Sequence, residues 1–239
     1  MSYSLNTVPK INDLLYSTDG DSRKNTANSL NLKYNLWKHK TGDNFHILKY
    51  NKEWLINDTV DTVGLLRSLI YKDDGTVVSF APPKSLSSDK LSFDNDKKYV
   101  AETFVEGTMI NMFYDNTVNS WEIATRSSVG GNMSFYMDGG FKKENTFRSM
   151  FDEVCNYIGF DYVNHQCDNK NFVYSFVMQH PKNRIVKVIS EMKLYLVDVF
   201  EIDDKIINII DFRKLDLNMC DKIKYPRQEI ITDVNSLEQ

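Results

Sequence analysis

Short strand-like runs of apolar residues recur along the whole chain and constrain its fold more than any other feature. They are rich in Val, Ile, Phe and Tyr, which favour strands, and polar turn signals separate them. These runs are Phe45–Tyr50, Val63–Tyr71, Thr76–Phe80, the second half of Glu102–Tyr114, Ser120–Ser127, Phe172–Met178, Arg184–Ile189 and Met192–Ile202. Many strands with few helices predict an α+β fold built mostly of antiparallel sheets.

One stretch has a clear helical period. Between Asn145 and Ile158, apolar residues recur at a spacing of three and four, as on one face of a helix. Asn145 or Thr146 can cap the first turn, and Gly159 is suited to end the last one. This stretch is the clearest helix that the sequence predicts.

Composition limits the class of protein. The 239 residues are 41% hydrophobic, enough to bury a sizeable core, and the formal net charge is -4. A polyanion site would therefore have to be a local basic patch on a mildly acidic body. Three cysteines without CxxC spacing, and no apolar N-terminal run or membrane-span pattern, favour a cytoplasmic protein with reduced thiols.

The domain plan is simple. Residues 1–32 are polar, and we expect a loosely packed leader with one short helix near Val8–Tyr16. Residues 33–239 show no internal repeat and no low-complexity linker, and we expect them to form one domain.

The stretch Glu102–Tyr114 combines a turn at Glu106-Gly107 with a strongly apolar strand. Glycine permits a tight turn and the close approach of a ligand, and a neighbouring carboxylate suits a hydroxyl group or a cation. The strand at Ser120–Ser127 ends in Arg126, so the two strands predict a hairpin with polar residues at a pocket. We expect Ser127–Gly131 to be a flexible turn.

Basic residues supply the other candidates. Arg67 lies in an apolar run and needs a partner, which is either a strand-edge carboxylate or a bound anion. Lys84 follows two prolines, and it is either an ordinary surface lysine or an amine aimed by the fixed backbone. Lys182, Arg184, Lys187 and Lys193 form a basic run that is either a solvated edge or a phosphate patch.

Several common sites have no support. The four histidines show no metal-ligand spacing, and P-loop, Rossmann and hydrolase-elbow motifs are absent from the sequence.

Taken in order, the segments resemble the nucleotidyltransferase domain of phage-type, tRNA-repair RNA ligases and related viral RNA ligases. The resemblance runs from Phe45 to Ile202, and its most specific part is the Asn183-Arg-Ile-Val186 run. The matching segments are Leu66–Tyr71, Ala81–Lys84, Thr103–Thr108, Ala124–Ser127, Phe176–Val186 and Glu191–Leu194.

The resemblance implies an ATP-dependent ligase fold, with Mg²⁺ or Mn²⁺ as cofactor. It also implies RNA partners with 5′-phosphate and 3′-hydroxyl ends, sealed through a lysyl-AMP intermediate. Its implied nucleotide-binding residues are Arg67, Glu106, Gly107, Arg126 and Lys193, and Lys182, Arg184 and Lys187 would contact RNA phosphates.

Departures from the family pattern leave the reaction open. Phe104 stands at the position of the nucleophilic lysine, and Val177 at that of a strand glutamate. The later Glu-Gly-x-Val segment is not found, and Lys222-Ile-Lys224 is expected to be a charged loop.

Three interpretations follow from these departures. Lys84, or next Lys97 or Lys98, substitutes as the nucleophile. Alternatively, the domain binds nucleotide and RNA without catalysis. In the third interpretation, it is an interaction module that shares only the fold.

Overall fold

The computed structural model describes residues 1–38, 44–87, 99–134, 146–183 and 188–231. The α-helices are α1 (Ile11–Tyr16), α2 (Gly20–Ser29) and α3 (Phe147–Ile158). The strands are β1 (Ser2–Ser4), β2 (Leu32–Trp37), β3 (Phe45–Tyr50), β4 (Leu69–Lys72), β5 (Val77–Phe80), β6 (Tyr99–Glu102), β7 (Thr108–Asp115), β8 (Ser120–Thr125), β9 (Ser128–Val129), β10 (Phe172–Gln179), β11 (Lys193–Asp203), β12 (Ile206–Ile209) and β13 (Gln228–Ile231).

The strands form two main sheets and a ribbon. The larger sheet has the order β1-β12-β11-β10-β7-β8-β9, and the smaller has the order β2-β3-β4-β5. The ribbon pairs β6 with β13. Every pairing between these strands is antiparallel, which confirms the predicted α+β class.

Two hydrophobic clusters cover the two faces of the larger sheet. The first joins it to the four-stranded sheet and to the N-terminal helices, and the second joins it to α3. Alternation along β7 explains the division, because neighbouring strand residues point to opposite faces. Phe113 belongs to the first cluster, whereas Ile110 and Met112 belong to the second.

The expectation of loose packing for residues 1–32 is wrong. Strand β1 pairs with β12, and Leu5, Leu14 and Leu15 are fully buried in the first cluster. The phenol of Tyr71 also donates a hydrogen bond to the Leu14 carbonyl at 2.7 Å. The few apolar residues of this polar segment sit on the buried sides of very short elements, so composition hides their role.

The predicted α3 helix is confirmed, together with its caps. The Thr146 hydroxyl accepts a hydrogen bond from the Ser149 N–H at 3.1 Å, and Gly159 adopts the left-handed conformation at φ 80°. A helix is also present within the expected Val8–Tyr16 range, as α1. The hairpin at Asp73–Gly75 joins β4 to β5, and the one between β7 and β8 forms as expected.

Two local expectations are wrong. Val63–Leu65 is a short 3-10 helix, and the strand starts only at Leu69, because the N–H groups of Leu65 and Leu66 bond back to the preceding turn. Ser128–Val129 is a strand paired with β8 rather than a flexible turn. The strand expected at Arg184–Ile189 falls mainly on residues outside the described ranges.

Candidate functional site

A cleft of about 1110 Å³ opens beside the β6–β13 ribbon, where the segment after β6 meets the end of β10 and the first residues of β11. Its walls come from segments far apart in the sequence. The lining residues are Thr103, Phe104, Val105, Glu106, Gln179, Tyr195, Arg213, Lys224, Tyr225, Pro226, Arg227, Gln228 and Glu229. We call this space the ribbon cleft.

Backbone hydrogen bonds build the walls of the ribbon cleft. The Thr103 N–H donates to the Arg227 carbonyl at 2.9 Å, and the Arg227 N–H donates to the Thr103 hydroxyl at 2.8 Å. The Lys224 N–H donates to the Leu194 carbonyl, and its carbonyl accepts from the Leu196 N–H, both at 2.9 Å. Side chains at positions 224 and 227 are therefore free to vary without loss of these bonds.

Gly107 follows Glu106 of the cleft and serves packing. A Cβ at this position would lie 2.5 Å from the Met178 carbonyl oxygen and 2.7 Å from a methyl of Val177, and φ is +155°. The Gln179 side-chain amide donates to the Glu106 carbonyl at 2.8 Å and holds the same turn. The glycine admits a neighbouring strand here rather than the ligand that the sequence suggested.

Cations and aromatic rings share the ribbon cleft. Arg213, Lys224 and Arg227 bring positive charge, and Glu102 pairs with Arg213 at 3.3 Å. The Phe104 side chain is 94% exposed, and Tyr225 lies under the Arg213 guanidinium at 5.5 Å from its ring centre. Exposed rings can stack on a planar base, and cations can bind phosphate oxygens.

A half-buried carboxyl group lies near this region. Burial raises the pKa of Asp198 on β11 to about 7, and the neighbouring Glu102 carboxylate adds to the rise. Among the described residues, no cation forms an ion pair with Asp198 within 4 Å. This carboxyl group is therefore close to half protonated near neutral pH.

Of the predicted site residues, Glu106 lines the ribbon cleft and Gly107 adjoins it. Phe104 also lines it. Lys193 begins the strand that carries Tyr195, and its amine pairs with Glu191 at 2.7 Å, which raises the pKa of Lys193.

Arg67 and Arg126 lie together but do not line the cleft. The Arg126 guanidinium donates to the Arg67 carbonyl at 3.3 Å and to the Tyr50 carbonyl at 3.0 Å. It also stacks on the Tyr50 ring at 4.8 Å.

Lys84 lies elsewhere again. Its amine donates to the Ser85 carbonyl at 2.8 Å, and the residue lines a separate cavity of about 410 Å³ beside β1. Lys182 pairs with Glu153 of α3 at 2.9 Å. Arg184, Lys187, Lys97 and Lys98 lie outside the described residues.

Lys224 is the functional candidate that sequence reasoning missed. Lys222-Ile-Lys224 is a charged loop, as expected, with both lysines exposed. Within it, however, Ile223 is buried and an isolated backbone bridge joins Lys224 to Tyr195 on the open edge of β11. The apolar residue between the two lysines was the available signal. Arg213, Tyr225 and Arg227 carried no comparable signal, because tertiary contacts alone bring them to the cleft.

The described residues show neither a metal-binding cluster nor a helix that could span a membrane. The described ranges contain no group of three or more His, Cys, Asp or Glu side chains able to hold a metal ion. Over the same residues, no helix is long and apolar enough to cross a membrane.

Comparison of the chain with protein-family models and with curated proteins found no match.

Proposed function

We propose that this chain is an RNA ligase-like domain that binds a nucleotide or a phosphorylated RNA end in the ribbon cleft without forming a lysyl-AMP. The carrying observation is that Phe104 and Tyr225 share one cleft with Arg213, Lys224 and Arg227. The ligase resemblance of the sequence is the second support.

The residues of the ribbon cleft suit the two parts of a nucleotide. Stacking of a base on an aromatic ring is worth about 1–3 kcal/mol, and it tolerates any base. Charge-assisted bonds from Arg213, Lys224 and Arg227 to phosphate oxygens supply the remaining affinity. Mg²⁺ or Mn²⁺ would enter on the nucleotide's own phosphates, since it needs few protein ligands there.

Covalent transfer needs an amine in line with the α-phosphate. Phe104 has none, and Lys84 lines a different cavity with its amine on the Ser85 carbonyl. Lys224 does line the cleft, and we assign its amine to phosphate binding rather than to attack. Binding of ATP and RNA ends therefore has more support than sealing. The sealing reaction with Lys84 as nucleophile is the second candidate.

Binding is tested by titrating ATP and 5′-phosphorylated RNA into the protein at low salt. The variants are Phe104→Ala, Lys224→Gln and Arg227→Gln, and each is expected to weaken binding about tenfold, since one stacking or charged contact is worth about 1.4 kcal/mol or more. The matched control is Lys24→Gln, an exposed lysine on α2.

These variants should fold, because Phe104 is exposed and positions 224 and 227 bond through their backbones. Unchanged affinity in all three would contradict the proposal. If the folded wild-type protein binds neither ATP nor RNA, the interpretation as an interaction module is the one that stands.

Covalent transfer is tested with radiolabelled ATP and Mg²⁺ or Mn²⁺. We expect no acid-stable protein-AMP adduct. An adduct mapped to Lys84, and lost in Lys84→Met, would replace the binding proposal with the active ligase.

A further inference from the structure

Four cations gather where the four-stranded sheet meets the β8–β9 turn. They are Lys33 on β2, Lys49 on β3, Arg67 before β4 and Arg126 after β8, and we call them the basic cluster. None of them lines the ribbon cleft. None forms an ion pair within 4 Å with a carboxylate of the described residues.

Lys33 and Lys49 face each other directly across the β2–β3 pair. Like charges in this position repel and destabilise a sheet. Burial lowers the pKa of Lys49, and the charges of Arg126 and Lys33 lower it further. The apo protein therefore holds a repulsion that no carboxylate of the described residues relieves through an ion pair.

The fold fixes Arg126 within this cluster. Main-chain carbonyls of Tyr50 and Arg67 accept from its Nη2 and Nε atoms, and the Tyr50 ring lies against it. Burial lowers the pKa of Arg126, and the neighbouring Arg67 charge acts in the same direction. The guanidinium is thus preorganised by neutral groups that leave its charge uncompensated.

Several N–H and O–H donors of the basic cluster and Ser127 are available to a ligand. The Lys49 amine donates one of its three protons to the Ser127 hydroxyl, at 2.5 Å. Since that hydroxyl accepts, its own proton is available. Nη1 of Arg126 and the guanidinium of Arg67 have no acceptor among the described residues. A tetrahedral oxyanion matches such convergent donors.

We propose that the basic cluster and Ser127 form a phosphate-binding site separate from the ribbon cleft. The ligand is a phosphate group, carried either by the backbone of a single-stranded RNA or by a small polyphosphate. This site does not depend on nucleotide binding in the cleft.

The experiment uses the full chain with Lys224→Gln, which weakens the ribbon cleft, as the background. One probe is a short single-stranded RNA with a 5′-hydroxyl end, and the other is tripolyphosphate. The variants are Lys49→Gln and the exposed Lys33→Gln, with Lys24→Gln as the control. Affinity is measured as a function of salt.

We expect Lys49→Gln to weaken binding about tenfold, because a charged hydrogen bond is lost. For RNA, each variant should also reduce the slope of log affinity against log salt by about 0.7. Without ligand, both variants should melt at or above the background temperature, because a repulsion is removed.

Binding of RNA but not tripolyphosphate would assign the site to a strand backbone, and the converse to a small polyphosphate. If neither probe binds, or if Lys33→Gln and Lys49→Gln bind like Lys24→Gln, the proposal is overturned. The two proposals can fail separately. If the basic cluster binds neither probe but the otherwise wild-type protein binds ATP in a Phe104-dependent way, the proposed function of the ribbon cleft still holds.

Discussion

Lys72 and Lys49 lie at opposite ends of the contact between the four-stranded and the seven-stranded sheet, which we call the seam. Their surroundings differ. The Lys72 amine bonds to the Asp115 carboxylate at 2.9 Å and to the Thr117 hydroxyl at 2.6 Å. Among the described residues, the Lys49 amine has only the Ser127 hydroxyl and neighbouring positive charges. Within the part of the chain that the structure describes, the fold thus neutralises one end of the seam and supplies no carboxylate partner at the other.

The difference separates stability from binding. A buried charge is tolerated when its counter-charge is part of the protein, and the pair then contributes to the fold. A half-buried group of like charges without such a partner costs stability until an anion arrives. The Lys72 end is therefore expected to be structural and the Lys49 end to serve a ligand.

The largest effect is expected at the Lys72 end. Asp115→Ala removes the partner of a lysine whose side chain is 8% exposed, and should cost about 3–5 kcal/mol of unfolding free energy. Urea unfolding measures this loss. The double variant Lys72→Met, Asp115→Leu should recover most of it, because no charge stays buried. A loss below about 1 kcal/mol in the single variant would contradict a structural role for the pair.

Asp198 is an acidic group without a partner of opposite charge among the described residues, so it tests the same comparison with a negative charge. Its pKa is about 7 when folded, above the ordinary 3.8, so the folded state binds the proton more tightly than the unfolded state. The unfolding free energy should then fall as pH rises from about 4 to 7, by at most about 1.4 kcal/mol per pH unit.

Asp198→Asn tests this dependence. The variant should exceed the wild type by about 1–3 kcal/mol near pH 8, and the difference should vanish below about pH 3, where Asp198 is protonated in both the folded and the unfolded state. Urea unfolding at several pH values measures the difference. A pH-independent difference would show that ionisation is not its cause.

A smaller effect on stability is expected when a carboxylate is introduced at the Lys49 end of the seam. Ser127→Asp places a carboxylate beside Lys49 and should stabilise the apo protein by up to about 1 kcal/mol. The same change should abolish phosphate binding at the basic cluster. Ser127→Ala is the matched control and adds no charge. If the Ser127→Asp variant still binds phosphate, the distinction between a structural Lys72 end and a ligand-binding Lys49 end is wrong.

Local pattern accounts for the parts of the fold that sequence could predict. The α3 helix, the β4–β5 and β7–β8 hairpins, and the cores of β10 and β11 depend on periodicity, capping and turn residues that lie close together in the chain. Physical signals of this kind act over a few residues, so one sequence carries them in full.

The sites depend on partners far apart, which local pattern cannot supply. Lys72 and Asp115 are 43 residues apart, and Lys49 and Ser127 are 78 apart. The sequence singled out Arg67 and Arg126 but not the lysines beside them. Lys84, chosen because prolines precede it, lies at another cavity, since a fixed backbone does not determine which pocket a side chain enters.

The β6–β13 ribbon has a consequence for the order of events during folding. Thr103 and Arg227, whose contacts close one wall of the cleft, are 124 residues apart in the chain. Closing so long a loop is entropically costly and slow, and during synthesis it must wait for the second strand to leave the ribosome. The two main sheets can begin to assemble earlier, so the ribbon cleft is expected to be among the last features of the molecule to form.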